Sequence, residues 1–292
     1  MKKKQDYDFL VDSKFNRFLL KVGEKLYDNL NKLYYISILL FFVSLAILGF
    51  KYYTTGSLYK ADYTISGGIK YTFAHNTTIK NTIEQQNIKV HELGNTYYFI
   101  VPNNYNKSKI EDILKKNNVS YNVEEVSALL KSAFFKTLIG LIVFSFILVI
   151  LSILMIYKDW KIASIVGRAL LFNLVITFSI TNLFIPLSKY ILPAYLMILG
   201  YGIDTNLILI NHMLKERKFD LKKRFALAFN TGIMIHLTTL TVLLVGFFLA
   251  NNEVFKYIFA ILAIGLLVDI IDTWFLNGYL LKKFVEEKEK KL

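Results

Sequence analysis

"LIGLIVFSFILVILSILMIY", Leu138 to Tyr157, is twenty residues long and carries no charge. Wound as an α-helix it would be about 30 Å long, the thickness of a bilayer's hydrocarbon core. In lipid only helices and closed barrels satisfy every backbone polar group, and an uninterrupted Leu/Ile/Phe run favours the helix. The run belongs to a block, Phe134–Tyr157, with five counterparts: Tyr34–Tyr53, Ile162–Phe184, Tyr190–Met213, Phe225–Leu249 and Phe255–Leu281. Of the 292 residues, 54% are hydrophobic, a fraction close to that of a soluble domain, so their distribution decides the class. The chain reads as a polytopic α-helical membrane protein with six transmembrane helices. Some 30 mostly polar residues precede the first block, so it is expected to be a retained anchor and not a signal peptide. With no cysteine, disulfides, thiolate metal sites and cysteine nucleophiles are excluded.

The net charge of +13 could suggest nucleic acid, but its placement argues for membrane orientation instead. Basic residues crowd the N-terminal segment (Lys2, Lys3, Lys4, Lys14, Arg17, Lys21, Lys25, Lys32), the links at Lys158/Lys161 and Lys215–Arg224, and the tail from Lys282. The links on the other side carry chiefly Lys189 and Lys256. This positive-inside pattern predicts a cell-membrane protein with both termini cytoplasmic and no nucleic-acid partner. Within "SKFNRFLLKVGEKLYDNL", Phe15, Leu19, Val22, Leu26 and Leu30 recur at helical spacing among cations. This predicts an amphipathic helix on the inner membrane surface, or one packed on a partner.

One sizeable polar stretch, about 60–131, separates the first two blocks. "GIKYTFAH", "IKVHEL", "TYYFIV" and "VSYNVEEV" read as strands, the middle two joined at Gly94-Asn95. "TTIKNTIEQQ" and "SKIEDILKKN" read as helices, with Ser108 and Glu111 matching a capping box. The order βαββαβ predicts a small ferredoxin-like α+β extracytoplasmic domain between helices 1 and 2. His75 and His91 lack metal-ligand spacing, and Gly67-Gly68 reads as a tight turn because no phosphate-loop Lys-Ser/Thr follows. The expected organisation is 1–33 basic segment, 34–53 first helix, 54–133 outer domain, 134–281 five-helix bundle and 282–292 charged tail.

Polar groups inside the blocks fall into four clusters: Arg168 and Asn173; Asp204 with Asn211, Asn206 pointing elsewhere; Asn230, Thr231, His236, Thr238, Thr239 and Thr241; and Asp269, Asp272 and Thr273 at i, i+3 and i+4. A charge at mid-bilayer costs about 2.5–3.5 kcal/mol on insertion scales, so such groups face protein or water. Asp204, in "LGYGIDTNLILINHML", is expected to face a seam where Gly200 and Gly202 let helices approach, and to exchange a proton there. The threonines and asparagines equally suit hydrogen bonding between helices. Arg168 could snorkel or neutralise an aspartate. An aspartyl intramembrane protease carries Gly-x-Gly-Asp, whereas "GYGID" has one residue more. That residue turns the carboxylate by about 100°, and Asp269 follows Val268 where a tyrosine is required.

Four motifs in order resemble those of the SecF family within the SecD/SecF group of the resistance-nodulation-division superfamily, its archaeal forms in particular. "ADYTISGG" is similar to the Asp-Phe-Thr-Gly-Gly stretch entering the outer domain, though Asp62 stands further from Gly67-Gly68. "LGYGIDTNLILINHMLKER", "NTGIMIHLTTLTVLLV" and "GLLVDIIDTWFLNGYLL" resemble spans four, five and six. The resemblance implies a non-enzymatic accessory subunit of protein export, without cofactor or metal, partnered by SecD, the Sec channel, an unfolded translocating polypeptide and lipid. It implies coupling to a proton or sodium gradient, with Asp204 titrating and Thr238 and Thr239 as neighbours. Asp269 and Asp272 would be relay or helix–helix residues, and Asn206, Asn211, Thr231 and His236 supporting polar groups. Bacterial relatives place an arginine where Thr231 stands; Arg168 or the partner would supply that charge. A structural subunit without ion coupling is the alternative.

Overall fold

The computed structural model describes residues 13–60, 62–102, 105–126, 130–216 and 218–290. Lys2, Lys3, Lys4 and Arg217, expected to set orientation, lie outside them. In chain order the elements are α1 (Lys14–Asp28), α2 (Leu30–Thr55), α3 (Tyr63–Ser66), β1 (Gly68–Ala74), α4 (Thr77–Glu84), β2 (Val90–Leu93), β3 (Thr96–Val101), α5 (Lys107–Lys116), β4 (Tyr121–Val126), α6 (Leu130–Tyr157), α7 (Trp160–Phe184), α8 (Leu192–Lys215), α9 (Leu221–Leu249) and α10 (Glu253–Ile271). A π-helical segment (Asp272–Asn277) then leads into α11 (Gly278–Glu289). Among the described residues, six helices are long and apolar enough to cross a membrane: α2, α6, α7, α8, α9, and α10 continued through α11.

Burial separates the six. Helix α7 is the most enclosed, whereas α2 and α6 bury little of their apolar surface, as helices facing lipid do. Core residues are shared among α7, α8, α9 and the last helix. Trp274 is fully buried, its indole set edge-on to Phe225 (5.9 Å) and Phe229 (5.2 Å).

Helix α1 starts at a Ser13 cap whose Oγ accepts from Asn16 N at 3.0 Å. Leu19, Leu20 and Gly23 are buried, and a Cβ on Gly23 would stand 2.9 Å from Ala226 Cα. The stripe predicted to lie on lipid is therefore partly spent on α9, while Phe15 and Phe18 stay exposed. The reason is that Gly23 lets the two backbones touch. Asp28 and Lys222 clamp the far end at 2.6 Å. Tyr27 is held under Lys282 and beside Phe225, and burial, followed by the Glu286 charge, pushes its phenol up to about 12. A raised acid stabilises below its ordinary 10.0, and that contribution is lost as pH rises through about 12. The unfolding temperature should therefore fall across that alkaline window, and Tyr27→Phe should reduce the fall.

The polar stretch forms one antiparallel sheet of order β2-β3-β1-β4, with α4 between β1 and β2 and α5 between β3 and β4. Alternation sets its register: Tyr71 pairs with Phe99 and Val123. Ile69, Tyr71, Phe73, Phe99 and Val101 are buried with Ile79, Ile83, Ile110 and Leu114 of the two helices. Gly67 (φ 80°) and Gly94 (φ 56°) take left-handed backbone at the turns, where other residues are strained. The Ser108–Glu111 capping box does not form. Asn106, also a favoured cap, starts α5 earlier, and Ser108 Oγ donates to Asn106 Oδ1 at 2.6 Å. Phe99→Ala should cost about 3–5 kcal/mol in this core, read as early protease cleavage within the sheet.

The sheet is pinned to the bundle. Asp62 N donates to Leu187 O (2.9 Å) and Leu187 N to Lys60 O (2.8 Å). Tyr98 Oη donates to the Glu253 carboxylate, and Tyr190 Oη to Glu124 Oε1 at 2.9 Å. A cleft of about 560 Å³ lies between the two, bordered by Lys70, His91, Tyr98 and Glu253.

Candidate functional site

Four helices converge on one carboxyl group, Asp269 of α10, which is 2% exposed. Thr205 Oγ1 of α8 donates to its Oδ2 at 2.6 Å, and His236 Nε2 of α9 stands 3.0 Å from the same oxygen. Asn173 Nδ2 of α7 and Thr273 Oγ1, one turn on, donate to Oδ1 at 3.4 Å each. Asn173 also donates to Gly265 O at 3.2 Å and accepts from Thr177 Oγ1 at 3.0 Å, which fixes its amide. Gly202 makes the approach possible, since a Cβ there would stand 2.6 Å from Leu170 Cδ2 and 3.1 Å from Asp269 Oδ1.

The proton content of the pair follows from its neighbours. His236 Nδ1 lies 2.8 Å from Gly232 O. A carbonyl only accepts, so Nδ1 carries hydrogen. Nε2 and Oδ2 at 3.0 Å then need one proton between them, because two facing lone pairs repel. The pair is either acid with imidazole or carboxylate with imidazolium, neutral overall in both forms, and moving the proton takes no movement of heavy atoms.

Polar groups extend from this centre in two directions. Along α7 run Asn173, Thr177 and Thr181, all essentially inaccessible, ending at Tyr195, whose hydroxyl is 2.8 Å from Thr181 Oγ1. In the π-helical segment, Asn277 Nδ2 donates to Asn206 Oδ1, and Asn206 Nδ2 donates to Gly202 O at 2.6 Å. Asp272 opens that segment, fully buried, with neither carboxyl oxygen hydrogen-bonded among the described residues. π-Helical turns within α-helices are frequent at functional sites.

Of the residues singled out from sequence, the structure brings together Asp269, His236, Asn173, Thr273, Gly202 and Asn206, with Asp272 one turn away. Asp204 is not among them: it is exposed on the chain's own surface. The buried stripe of α8 runs through Ile198, Leu199, Gly202, Thr205, Asn206 and Leu209. Residue 204 falls about 100° off Thr205, so the hydroxyl enters the cluster and the carboxylate faces out. Among the described residues Arg168 pairs with no aspartate; its Nε reaches back to Ser164 O at 3.1 Å, as a snorkelling side chain does. Thr231 and Thr238 are exposed and bond to their own helix, and Thr239 is half-buried. Asn211 accepts from Tyr157 Oη at 3.0 Å, away from the centre. A Cβ on Gly200 would meet nothing within 4 Å, so only Gly202 marks a tight crossing. Thr177 and Asn277 were passed over, although each lies four residues beyond a polar group already noted, Asn173 and Thr273.

Fold and site together define a polytopic membrane protein with a sheet domain after its first membrane-length helix, α2, and a buried acid–imidazole pair. Residues 106–287 match the family model "Protein export membrane protein SecD/SecF, C-terminal", and the chain belongs to that family. It is 26% identical to the protein-export membrane protein SecF of Methanolacinia petrolearia over 262 residues, 86% of this chain and 92% of that one. With SecF of Methanocaldococcus jannaschii it shares 25% over 279 residues, covering 88% and 96%. Among solved structures it is similar to SecDF, a translocon-associated membrane protein from Thermus thermophilus, with a TM-score of 0.68 at 16% identity over 88% of this chain. The chain spans 38% of that longer one, so the likeness concerns the fold of this part.

Proposed function

We propose that this chain works in protein export as a SecF-like subunit beside a SecD-like partner, and that the Asp269–His236 pair holds the proton through which a transmembrane gradient acts. The observation that carries this reading is a carboxyl and an imidazole 3.0 Å apart, nearly inaccessible, at the junction of α7, α8, α9 and α10. One charge moved across 100 mV is worth about 2.3 kcal/mol, enough to shift a two-state packing of helices about fiftyfold. Here the proton centre lies on α9 and α10, and not at Asp204 as the span-four motif implied.

The outward residues of α8 and α9 have a different part. Asp204, Gly200, Thr231 and Thr238 are polar or small and exposed along neighbouring helices, a composition suited to another helical bundle and costly against acyl chains. This surface is where the SecD-like partner docks. The positive-inside pattern puts both termini in the cytoplasm and the ferredoxin-like domain, within 54–133, outside the cell membrane. There the Tyr98–Glu253 and Tyr190–Glu124 contacts are the latch that a shift of the bundle releases toward an emerging polypeptide.

Asp272 separates a relay from a structural role. A buried carboxyl with no hydrogen-bond partner adds nothing to stability, so an apolar replacement of similar shape should leave the fold intact or strengthen it. Asp272→Leu is expected to keep or raise the unfolding temperature in detergent while abolishing gradient-stimulated export in reconstituted vesicles. Retained stimulation would remove Asp272 from the path and leave the proton to the Asp269–His236 pair alone.

A further inference from the structure

We propose that the groove between the N-terminal turns of α7 and helix α11 binds the phosphate-bearing headgroup of an anionic phospholipid. The groove has a volume of about 160 Å³, and Lys161, Arg168 and Lys283 bring three cations to it. Glu287 supplies one carboxylate to the same groove, leaving an excess of two positive charges. No ion pair joins Glu287 to any of the three among the described residues.

The placement of Arg168 makes this more than a solvated basic surface. It lies eight residues into α7, about 12 Å along the axis, and is exposed on the side of a membrane-crossing helix. A cation there needs an anion or a route to the interface. Its Nε donates to Ser164 O at 3.1 Å, one turn toward the helix start, which aims the guanidinium back toward Lys161. On the facing helix Lys283 rests over the Tyr279 ring at 4.7 Å, which holds its ammonium at the same rim. The groove is amphipathic as well. Ile165 is buried, and Leu280 and Phe284 are half-buried beneath the cations, offering apolar surface to the first carbons of an acyl chain. A phosphate with cations above and hydrocarbon below is the chemistry of a lipid headgroup, and basic grooves between membrane helices bind such groups. The site shares no residue with the Asp269 pair and does not depend on the export reading.

The test is thermal unfolding of the full chain in neutral detergent, titrated with phosphatidylglycerol, phosphatidylcholine or inorganic phosphate. Phosphatidylglycerol should raise the midpoint saturably, and phosphatidylcholine and phosphate should not. Arg168→Gln with Lys283→Gln should weaken the apparent affinity roughly thirtyfold, from about 1 kcal/mol per cation near an anionic headgroup. Lys161→Gln with Lys283→Gln, both exposed positions, should show the same loss should the first variant fold poorly. Lys115→Gln, in the sheet domain, should respond like the unaltered chain. An equal shift with phosphate alone, no preference over phosphatidylcholine, or a full response in both double variants would each overturn the proposal.

Discussion

Asp269→Ala is expected to destabilise the bundle by about 3–5 kcal/mol, the range for removing one partner of a buried charged or proton-sharing pair. The alanine leaves Thr205 Oγ1, His236 Nε2 and Asn173 Nδ2 without their shared acceptor at a site closed to water. Asn173 keeps Gly265 O and Thr205 keeps Gly202 O, so the loss falls chiefly on His236 Nε2, at about 1–3 kcal/mol of desolvation cost unless helices shift to let water in. Asp269→Asn should behave differently. Its amide can donate to His236 Nε2 and Thr205 Oγ1 while its carbonyl accepts from Asn173 and Thr273, so it imitates the protonated acid. The unfolding temperature of D269N should stay within a few degrees of the unaltered chain, while that of D269A should fall by several times as much. Equal loss in both would mean that charge, and not hydrogen bonding, holds the four helices together.

Gly232→Val should be at least as damaging, for a steric reason. A Cβ at position 232 would collide with the Trp274 indole, meeting Cζ2 first and then Cη2 at 2.8 Å. Trp274 cannot yield, because it is fully buried and boxed edge-on by Phe225 and Phe229. Overpacking of this kind costs about 1–3 kcal/mol even where neighbours adjust. Here the displaced helix also carries His236, one turn away, whose Nδ1 bonds to Gly232 O. Little folded G232V should accumulate, whereas G232V combined with Trp274→Leu, which empties the space, should recover in part. Failure of that rescue would place the defect in backbone strain instead of contact with the indole.

The six membrane-length apolar helices and the strand–helix order of the polar stretch were legible because both rest on strong local periodicity. Apolar blocks of about twenty residues leave the helix little competition, and alternation in "TYYFIV" fixes the buried face of β3. The site was harder to read. A carboxylate in "GYGID" draws attention by its cost, but one residue of helical phase separates Asp204, facing out, from Thr205, facing in. That phase depends on which stripe of α8 packs inward, and the glycines suggest it only in part: Gly202 marks the crossing and Gly200 does not. His236 and Asp269, thirty-three positions apart, meet only because α9 and α10 pack antiparallel across a short link. The π-helical segment from Asp272 leaves no local sequence signal, and it shifts Trp274 and Asn277 from where an α-helical count would put them.

The claim that Asp269 and His236 hold the coupling proton is tested most directly by export into reconstituted vesicles containing the chain and its partner, with and without an imposed pH gradient. Asp269→Asn should export at the unaltered rate without the gradient and gain nothing when it is applied. Gradient stimulation that survives Asp269→Asn and disappears with Asp204→Asn would contradict the account and return the proton to the outward face of α8.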